Sequence, residues 1–191
     1  EGLEHKRSHE YGSGIIHSEM PRQENGLMWG YQLWVNLPAA QKLTEPHYQD
    51  LQAKDIPVYE HKAYTAKILS GNLGGVQGGA RDFYPIDYFD LQFKAGQSAE
   101  IPVAADKAAF VIVVSGSGEI AGQKVVRGDL PILGDGDIIP FIAGDDFRVI
   151  VVAGKPIAEP IARYGPFVMN TAQEIEQAFM DYQAGKFSKA S

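Results

Sequence analysis

The sequence predicts an all-β protein, a barrel or sandwich, that ends in one α-helix. Three observations support this prediction. Short segments rich in Val, Ile, Phe and Tyr recur from Ala63 onward, Gly-containing turns separate them, and helical periodicity is found near the C-terminus. Short strands separated by such turn signals are typical of all-β barrels and sandwiches.

Five segments after Ala63 carry the strand pattern. The predicted strands are residues 86–93, 109–115, 124–126, 137–142 and 147–152. The turns between them include Gly116-Ser117-Gly118 and Gly134-Asp135-Gly136. Three prolines fall at predicted strand entries or edges, where a missing N–H costs least: Pro102, Pro131 and Pro140.

The C-terminal segment predicts an amphipathic helix that packs on the barrel. Thr171 followed by Glu174 has the spacing of a capping box, and Gly185 provides a stop signal. The apolar side chains between them recur with a helical period and are Ile175, Ala178, Phe179 and Tyr182.

The N-terminal part is less regular. Residues 28–37 (MWGYQLWVNL) have an aromatic strand pattern, and we interpret Trp29, Tyr31 and Trp34 as core residues in preference to a stacking site for an aromatic ligand. Residues 46–62 have little periodicity and are interpreted as a linker. The predicted domains are therefore residues 1–45 and 63–191.

Composition excludes several classes of function. With 17 basic and 24 acidic residues the net charge is −7, which disfavours direct binding to nucleic acid and favours a protein partner for any role near DNA. The absence of cysteine excludes disulfides, thiolate nucleophiles and Cys-ligated metals. No segment has the pattern of a signal peptide or a membrane span, so we expect no membrane association and a cytoplasmic protein.

All five histidines precede residue 62, so a His-based metal site belongs to the N-terminal unit. The best local pair is His17 and Glu19. If residues 15–20 form a strand, these two side chains point to one face about 6.6 Å apart along the chain and can hold one divalent ion. The H-x-E pattern is weak alone, and spacing alone favours the alternative of two solvated surface residues.

Other motifs give less support for a site. The glycine-rich stretch 71–79 lacks the G-K-[ST] ending of a P-loop, and we interpret it as a loop between strands. The acidic residues Asp135, Asp137, Asp145 and Asp146 lack the spacing of a calcium loop and are interpreted as turn residues. The sequence also has no H-E-x-x-H helix and no G-x-S-x-G elbow.

Four stretches of the sequence resemble the pirin family, two-domain proteins of the cupin type. They are GSGIIHSEMP (12–21), GYQLWVNLPA (30–39), GDLPILGDGD (128–137) and RYGPFVMNTAQEI (163–175). The resemblance implies a bicupin of two β-barrels whose C-terminal helix crosses to the first barrel. It also implies one iron, or another divalent metal, on three His and one Glu in the N-terminal barrel, with His17 and Glu19 as two ligands. The family's C-terminal barrel is normally free of metal.

The front of the sequence departs from the family pattern. The other two ligands of the family come from an H-P-H-R-G-F-E-T type motif, which the sequence lacks, and the join from Ser8 to Tyr11 is short. We therefore expect an N-terminally truncated, incomplete first barrel with two of four ligands. Substitution by His5 or His9 is disfavoured, because His5 matches a non-ligand position and His9 lies in the shortened join.

The resemblance implies two alternative functions. In the first, the protein resembles quercetin 2,3-dioxygenases and carries out oxygen chemistry on a small aromatic substrate with Fe(II), and Glu19 is both a ligand and the base that takes the substrate's hydroxyl proton. In the second, it is a non-catalytic, redox-sensitive transcriptional co-regulator that acts through protein partners, in the nucleus of a eukaryote. A third alternative, a degenerate fragment without activity, predicts aggregation through exposed strand edges.

Overall fold

The computed structural model describes residues 5–10, 15–16, 26, 29–80 and 84–189. The chain divides into two compact units. Unit 1 comprises Glu1–Asp50 and Ile157–Ser191, and unit 2 comprises Leu51–Pro156. The C-terminal residues thus belong to the same unit as the N-terminal ones. The predicted domain limits themselves stay a prediction.

The described elements are seventeen strands, one α-helix and two 3₁₀ helices. The strands before residue 80 are β1 (His5–Glu10), β2 (Ile15–Ile16), β3 (His47–Gln52), β4 (Val58–Glu60), β5 (Tyr64–Ser70), β6 (Asn72–Leu73) and β7 (Val76–Gln77). Those of the central region are β8 (Ile86–Phe93), β9 (Ser98–Pro102), β10 (Ala108–Ser115), β11 (Ser117–Ile120), β12 (Gln123–Val126), β13 (Ile138–Ala143) and β14 (Arg148–Gly154). The last elements are β15 (Ala162–Tyr164), β16 (Phe167–Met169), α1 (Ala172–Gln183) and β17 (Ser188–Lys189), and the 3₁₀ helices are Ala39–Gln41 and Ala53–Asp55.

Unit 2 is built from two antiparallel sheets. One has five strands in the order β10-β14-β8-β5-β4, and the other has four in the order β12-β11-β13-β9. Alternate residues of both sheets face a common apolar core, as the period of two in a strand requires. Phe89, Phe141 and Phe147 are among the largest side chains that are fully buried there. The prediction of an all-β architecture is confirmed by this unit.

The five strands predicted after Ala63 are confirmed. Residues 86–93 have the predicted limits, and the other four strands differ from their predicted ends by one or two residues. The glycine-rich stretch 71–79 holds the β6–β7 hairpin, whose turn residues Gly74 and Gly75 both have positive φ (60° and 83°). A two-residue hairpin turn of this hand requires positive φ at both positions, which explains the Gly-Gly pair.

Unit 1 contains the predicted helix. The helix α1 begins after Thr171, and both bonds of the capping box are present. Gly185 follows its end with φ +67°, as a glycine stop signal predicts. The helix packs on the β15–β16 hairpin, where the Phe179 ring lies 4.9 Å from Phe167 and 5.5 Å from Tyr164. The backbone of β17 pairs in parallel with that of β2.

Two predictions about the N-terminal part differ from the structure. The strand predicted for residues 28–37 is wrong over its described part, because residues 29–38 form no strand. Residues 46–62, interpreted as a linker, contain β3 and β4. The sequence of β3 does not show the apolar–polar alternation typical of a strand, because Leu51 is its one buried side chain and its other residues are polar or aromatic.

Candidate functional site

The two predicted metal ligands, His17 and Glu19, lie outside the described residues. The nearest described element is β2, whose Ile15 and Ile16 pair with Ser188 and Lys189 of β17. The prediction that residues 15–20 form one strand is thus met at Ile15 and Ile16, and the rest of it falls outside the described residues. Within the described ranges, no group of three or more His, Cys, Asp or Glu side chains is placed to hold a metal ion.

His61 has a structural environment in unit 2. Its Nδ1 accepts a hydrogen bond from the Ala63 N–H at 3.3 Å, and its ring lies 4.7 Å from that of Tyr64. Tyr64 is buried, and burial raises the pKa of its hydroxyl to about 12. The imidazole is therefore part of an aromatic cluster at the start of β5, with one nitrogen already engaged.

The interior of unit 2 is filled by aromatic and aliphatic side chains. The ring of Phe93 lies 5.1 Å from Phe141 and 5.7 Å from Phe147. Rings at these separations make favourable offset and edge contacts. This interior is a packed core of mostly apolar side chains, with Tyr64 among them.

Several acidic residues of unit 2 take part in turns and ion pairs. The carboxylate of Asp129 accepts the Val126 N–H at 2.8 Å and closes a turn. The Asp146 backbone has φ +49°, and its carbonyl accepts a hydrogen bond from the Ser115 hydroxyl. Asp87 pairs with Lys107 at 2.6 Å, and Asp90 pairs with Arg148. Of the four aspartates interpreted as turn residues, Asp145 and Asp146 lie in a turn, and Asp135 and Asp137 lie in bends.

A polar network in unit 1 was missed by the sequence analysis. The buried Lys42 donates to Asn36 Oδ1 at 2.7 Å and to the Val168 carbonyl at 3.2 Å. Glu159 Oε2 accepts from the Ala39 N–H at 2.7 Å and from Asn170 Nδ2 at 2.8 Å. These bonds join residues 36–42 to residues 159–170, and no local pattern in the sequence indicated them.

The electrostatics of this network follow from its burial and its carboxylates. Desolvation lowers the pKa of the Lys42 amine, and the negative charges of Glu159 and Glu174 oppose that shift. The hydroxyl of Thr171 donates to Glu174 and is the largest cause of the lowered pKa of that carboxyl. The positive charge of Lys42 in turn helps to lower the pKa of Glu174.

The aromatic residues Trp29, Tyr31 and Trp34 are exposed, so their interpretation as core residues is wrong. Trp34 is 67% exposed, and the guanidinium of Arg163 lies over its ring, 5.9 Å from the centroid. The rings lie at the surface because the segment that carries them joins no sheet among the described strands. The alternation of aromatic residues predicted that these rings are buried, but burial in a strand requires a neighbouring strand to pack against.

A groove of about 500 Å³ lies along β15 and α1 in unit 1. The lining residues are Ala162, Arg163, Tyr164, Ala172, Ile175, Glu176 and Phe179. A smaller cavity of about 120 Å³ in unit 2 is lined by Lys107, Asp135 and apolar residues. None of the described helices is long and apolar enough to span a membrane.

Residues 88–188 match the family model of the pirin C-terminal cupin domain. The pirin-like protein of Caulobacter vibrioides is 42% identical over 182 residues, which cover 92% of this chain and 65% of that protein. Human pirin is 35% identical over 92% of this chain and 62% of its own length. The chain therefore spans less than two thirds of the length of these relatives.

A solved structure supports the same relationship. The quercetin 2,3-dioxygenase of Acinetobacter baumannii superposes with a TM-score of 0.75 at 33% identity, over 81% of this chain and 55% of that one. This similarity confirms the cupin-type β fold, with its C-terminal helix, that the sequence motifs predict. Because the family model also covers more than half of the residues, the chain belongs to the pirin family.

Proposed function

We propose that this protein is a pirin-type metal protein that carries out quercetin 2,3-dioxygenase-type oxygen chemistry on a small aromatic substrate. The observation that carries the proposal is its similarity to a solved quercetin 2,3-dioxygenase, combined with the H-x-E motif at His17 and Glu19. The chain spans 55% of that enzyme's length. The activity is therefore proposed for the whole protein and not for unit 2 alone.

The proposed roles fall on two side chains. His17 would provide an imidazole nitrogen and Glu19 a carboxylate oxygen, a donor set that suits a divalent first-row metal such as Fe(II). When bound, such a metal supplies the redox chemistry that dioxygenation needs. Glu19 would also accept the proton of a substrate hydroxyl, which is the work of a general base held within hydrogen-bond reach.

His17 and Glu19 carry donor atoms of the type that binds a divalent metal, but two ligands do not complete a site. Two ligands are fewer than a stable site needs, and the described residues contribute no cluster that would complete it. The sequence has no H-P-H-R-G-F-E-T type motif that would supply the family's second pair. We therefore assign His17 and Glu19 as ligands and leave the remaining coordination positions unassigned.

Metal binding tests the proposed ligands. Titration of the purified chain with Fe(II) or Ni(II) in a calorimeter should give a Kd at least tenfold lower than that of the His17→Ala/Glu19→Ala variant. A matched control is Glu45→Ala/His47→Ala, which removes another His and Glu that are also separated by one residue. Equal affinity in all three proteins would overturn the assignment.

Turnover separates the proposed activity from its alternative. With quercetin, dioxygen and added metal, the protein should consume oxygen faster than a metal-only control, and the double variant should not. The alternative is a co-regulator that acts through protein partners, which the surface position of Trp29, Tyr31 and Trp34 favours. Oxygen uptake equal to the metal-only control would reject the enzymatic proposal and support that alternative.

A further inference from the structure

Residues 134–136, which we call the 134–136 loop, lie between two anchored backbone positions of unit 2. On one side the Leu133 N–H donates to the Ala109 carbonyl at 2.9 Å, and on the other the Asp137 carbonyl accepts the Val103 N–H at 2.9 Å. Between these bonds, no polar group of the loop forms a hydrogen bond or an ion pair with a described residue. The loop is therefore held at its ends and unbonded at its centre.

The 134–136 loop is exposed and uncrowded. All three of its residues are exposed to solvent, and they also line the cavity of about 120 Å³ in unit 2. A Cβ placed on Gly134 meets no atom within 4 Å, and one placed on Gly136 meets only the Ile138 carbonyl oxygen, at 3.9 Å. The backbone of the loop therefore has space to rotate, and water reaches it.

The order of residues in the loop brings a carboxyl group and an unshielded backbone nitrogen together. Asp135 is the one aspartate of the sequence that is followed by glycine. Since glycine has no Cβ, no side chain shields the nitrogen of Gly136 from the carboxyl group that precedes it. A bond between that nitrogen and the Asp135 Cγ closes a five-membered ring, which forms without large strain.

We propose that Asp135 is a site of spontaneous isomerisation to isoaspartate. The Gly136 nitrogen bonds to Cγ of the protonated carboxyl and gives up its proton, which leaves with the carboxyl hydroxyl as water, so that a succinimide forms. Water then opens the ring. Cleavage of the Cγ–N bond restores aspartate, whereas cleavage of the bond from the nitrogen to the Asp135 carbonyl carbon leaves a chain that runs through Cβ and Cγ. The reaction needs only water and leaves the mass of the chain unchanged.

Isomerisation lengthens the backbone between the two anchors. Isoaspartate adds one methylene to the main chain, about 1.5 Å of path, between Leu133 and Asp137. The strand β13 begins at the next residue, Ile138, which is paired with Pro102 of β9. The hydrogen bond from Val103 to Asp137 is the bond nearest to the insertion on that side, so we expect it to weaken.

Peptide mapping of the purified chain after prolonged incubation in buffer tests the site. Trypsin releases residues 128–148 as one peptide, which contains Asp135 and four other aspartates. Electron-transfer dissociation locates isoaspartate, because it cleaves the Cα–Cβ bond that has entered the main chain. A form of equal mass with isoaspartate at 135 should accumulate with time. The other four should stay unmodified, since each precedes a residue with a side chain and the Asp129 carboxylate is bonded to the Val126 N–H.

Two alanine variants of the loop form a matched pair. Gly136→Ala puts a methyl group beside the attacking nitrogen and should slow isoaspartate formation at least threefold. Gly134→Ala puts the same group on the other side of Asp135 and should leave the rate unchanged. Neither glycine has a positive φ, and an added Cβ fits at both positions, so both variants should keep the fold, which thermal melts verify. Absence of isoaspartate at 135, or equal rates in Gly136→Ala and the unmodified chain, would overturn the proposal.

Hydrogen exchange tests the effect on the anchor. In an incubated sample, the Val103 amide should show a fraction that exchanges at least threefold faster, and this fraction should equal the fraction of isoaspartate found at 135 by mapping. The amide of Ala143, which donates to the Gln97 carbonyl at the far end of β13, should exchange as one population. A single slow population at Val103 in a sample rich in isoaspartate would overturn the expected weakening of the bond to Asp137.

Discussion

The guanidinium of Arg148 holds the carboxylate of Asp90 through two hydrogen bonds, from Nε at 2.9 Å and from Nη2 at 2.7 Å. The two residues lie on the neighbouring strands β14 and β8, where Asp90 is paired with Ile150. The Asp90 side chain is almost fully buried. A buried carboxylate needs such a partner, because desolvation of an unpaired charge costs several kcal/mol.

Removing this partner should strongly destabilise unit 2. Arg148→Met leaves Asp90 buried without its two charge-assisted bonds, and the free energy of unfolding should fall by on the order of 3 kcal/mol in urea titrations. Lys155→Met is the matched control, since its pair with Asp106 is exposed on both sides and is worth less than about 1 kcal/mol. Equal losses in the two variants would contradict a structural role for the Asp90 pair.

Neighbouring residues of β13 should differ sharply in their contribution to stability. Phe141 faces the core with its ring against Phe93, whereas the next residue, Ile142, is half-exposed. Phe141→Ala should lower the free energy of unfolding by about 3–5 kcal/mol through lost burial and a cavity. Ile142→Ala should cost less than about 1 kcal/mol. Chemical denaturation measures both, and similar values would mean that the assigned strand register is wrong.

The capping box should stabilise α1 in a pH-dependent way. Thr171→Ala removes the side-chain acceptor for the Glu174 N–H and should destabilise the helix by about 1 kcal/mol. Because the hydrogen bond from Thr171 lowers the pKa of Glu174, the stabilising carboxylate is present above the ordinary carboxyl pKa. Its contribution should be lost as the pH falls below that value through the lowered one.

Comparison of pH profiles isolates this effect. Circular dichroism melts between neutral and acidic pH should show a smaller acid-induced loss of stability in Glu174→Gln than in the unmodified chain. Glu176→Gln, on the same helix and without a bonded partner among the described residues, is the control and should follow the unmodified profile. Identical profiles for all three proteins would show that the cap does not carry this pH dependence.

Lys42 should be more important for unit 1 than an ordinary lysine. Lys42→Met leaves Asn36 Oδ1 and the Val168 carbonyl without the donor they share. Both acceptors are partly buried, and loss of a hydrogen bond costs on the order of 1 kcal/mol, so hydrogen exchange should quicken in residues 36–42 and in β16. Lys54→Met, an exposed lysine in the 3₁₀ helix of unit 2, is the control. Unchanged hydrogen exchange in both regions would show that the hydrogen bonds of Lys42 do not stabilise them.

Most of unit 2 could be predicted from the sequence. Its strands pack on one core, so alternation of apolar residues, turn glycines and strand prolines all indicate the same structure, as the match at 86–93 shows. The capping box of α1 was predicted for the same reason, since its bonds are local. Local patterns succeed where the neighbours that bury a segment are near in sequence or regular in spacing.

The unsuccessful predictions depend on distant partners. Trp34 lies in a pattern that favours a strand, but no sequence rule shows whether another strand will pair with it. The hydrogen bond between Glu159 and the Ala39 N–H joins residues 120 positions apart, and no sequence motif predicts it. The proposed ligand roles of His17 and Glu19 rest on family resemblance and stay a prediction, since two donors separated by one residue do not define a site by themselves.

The most direct test of the metal proposal is anomalous diffraction from crystals of the chain loaded with Ni(II). The proposal predicts an anomalous peak within roughly 2.0–2.2 Å of both an imidazole nitrogen of His17 and a carboxylate oxygen of Glu19, the usual range for such ligands. The peak should be absent from crystals of His17→Ala/Glu19→Ala. A peak that persists in the double variant, or a loaded crystal with no peak at these two residues, would contradict it.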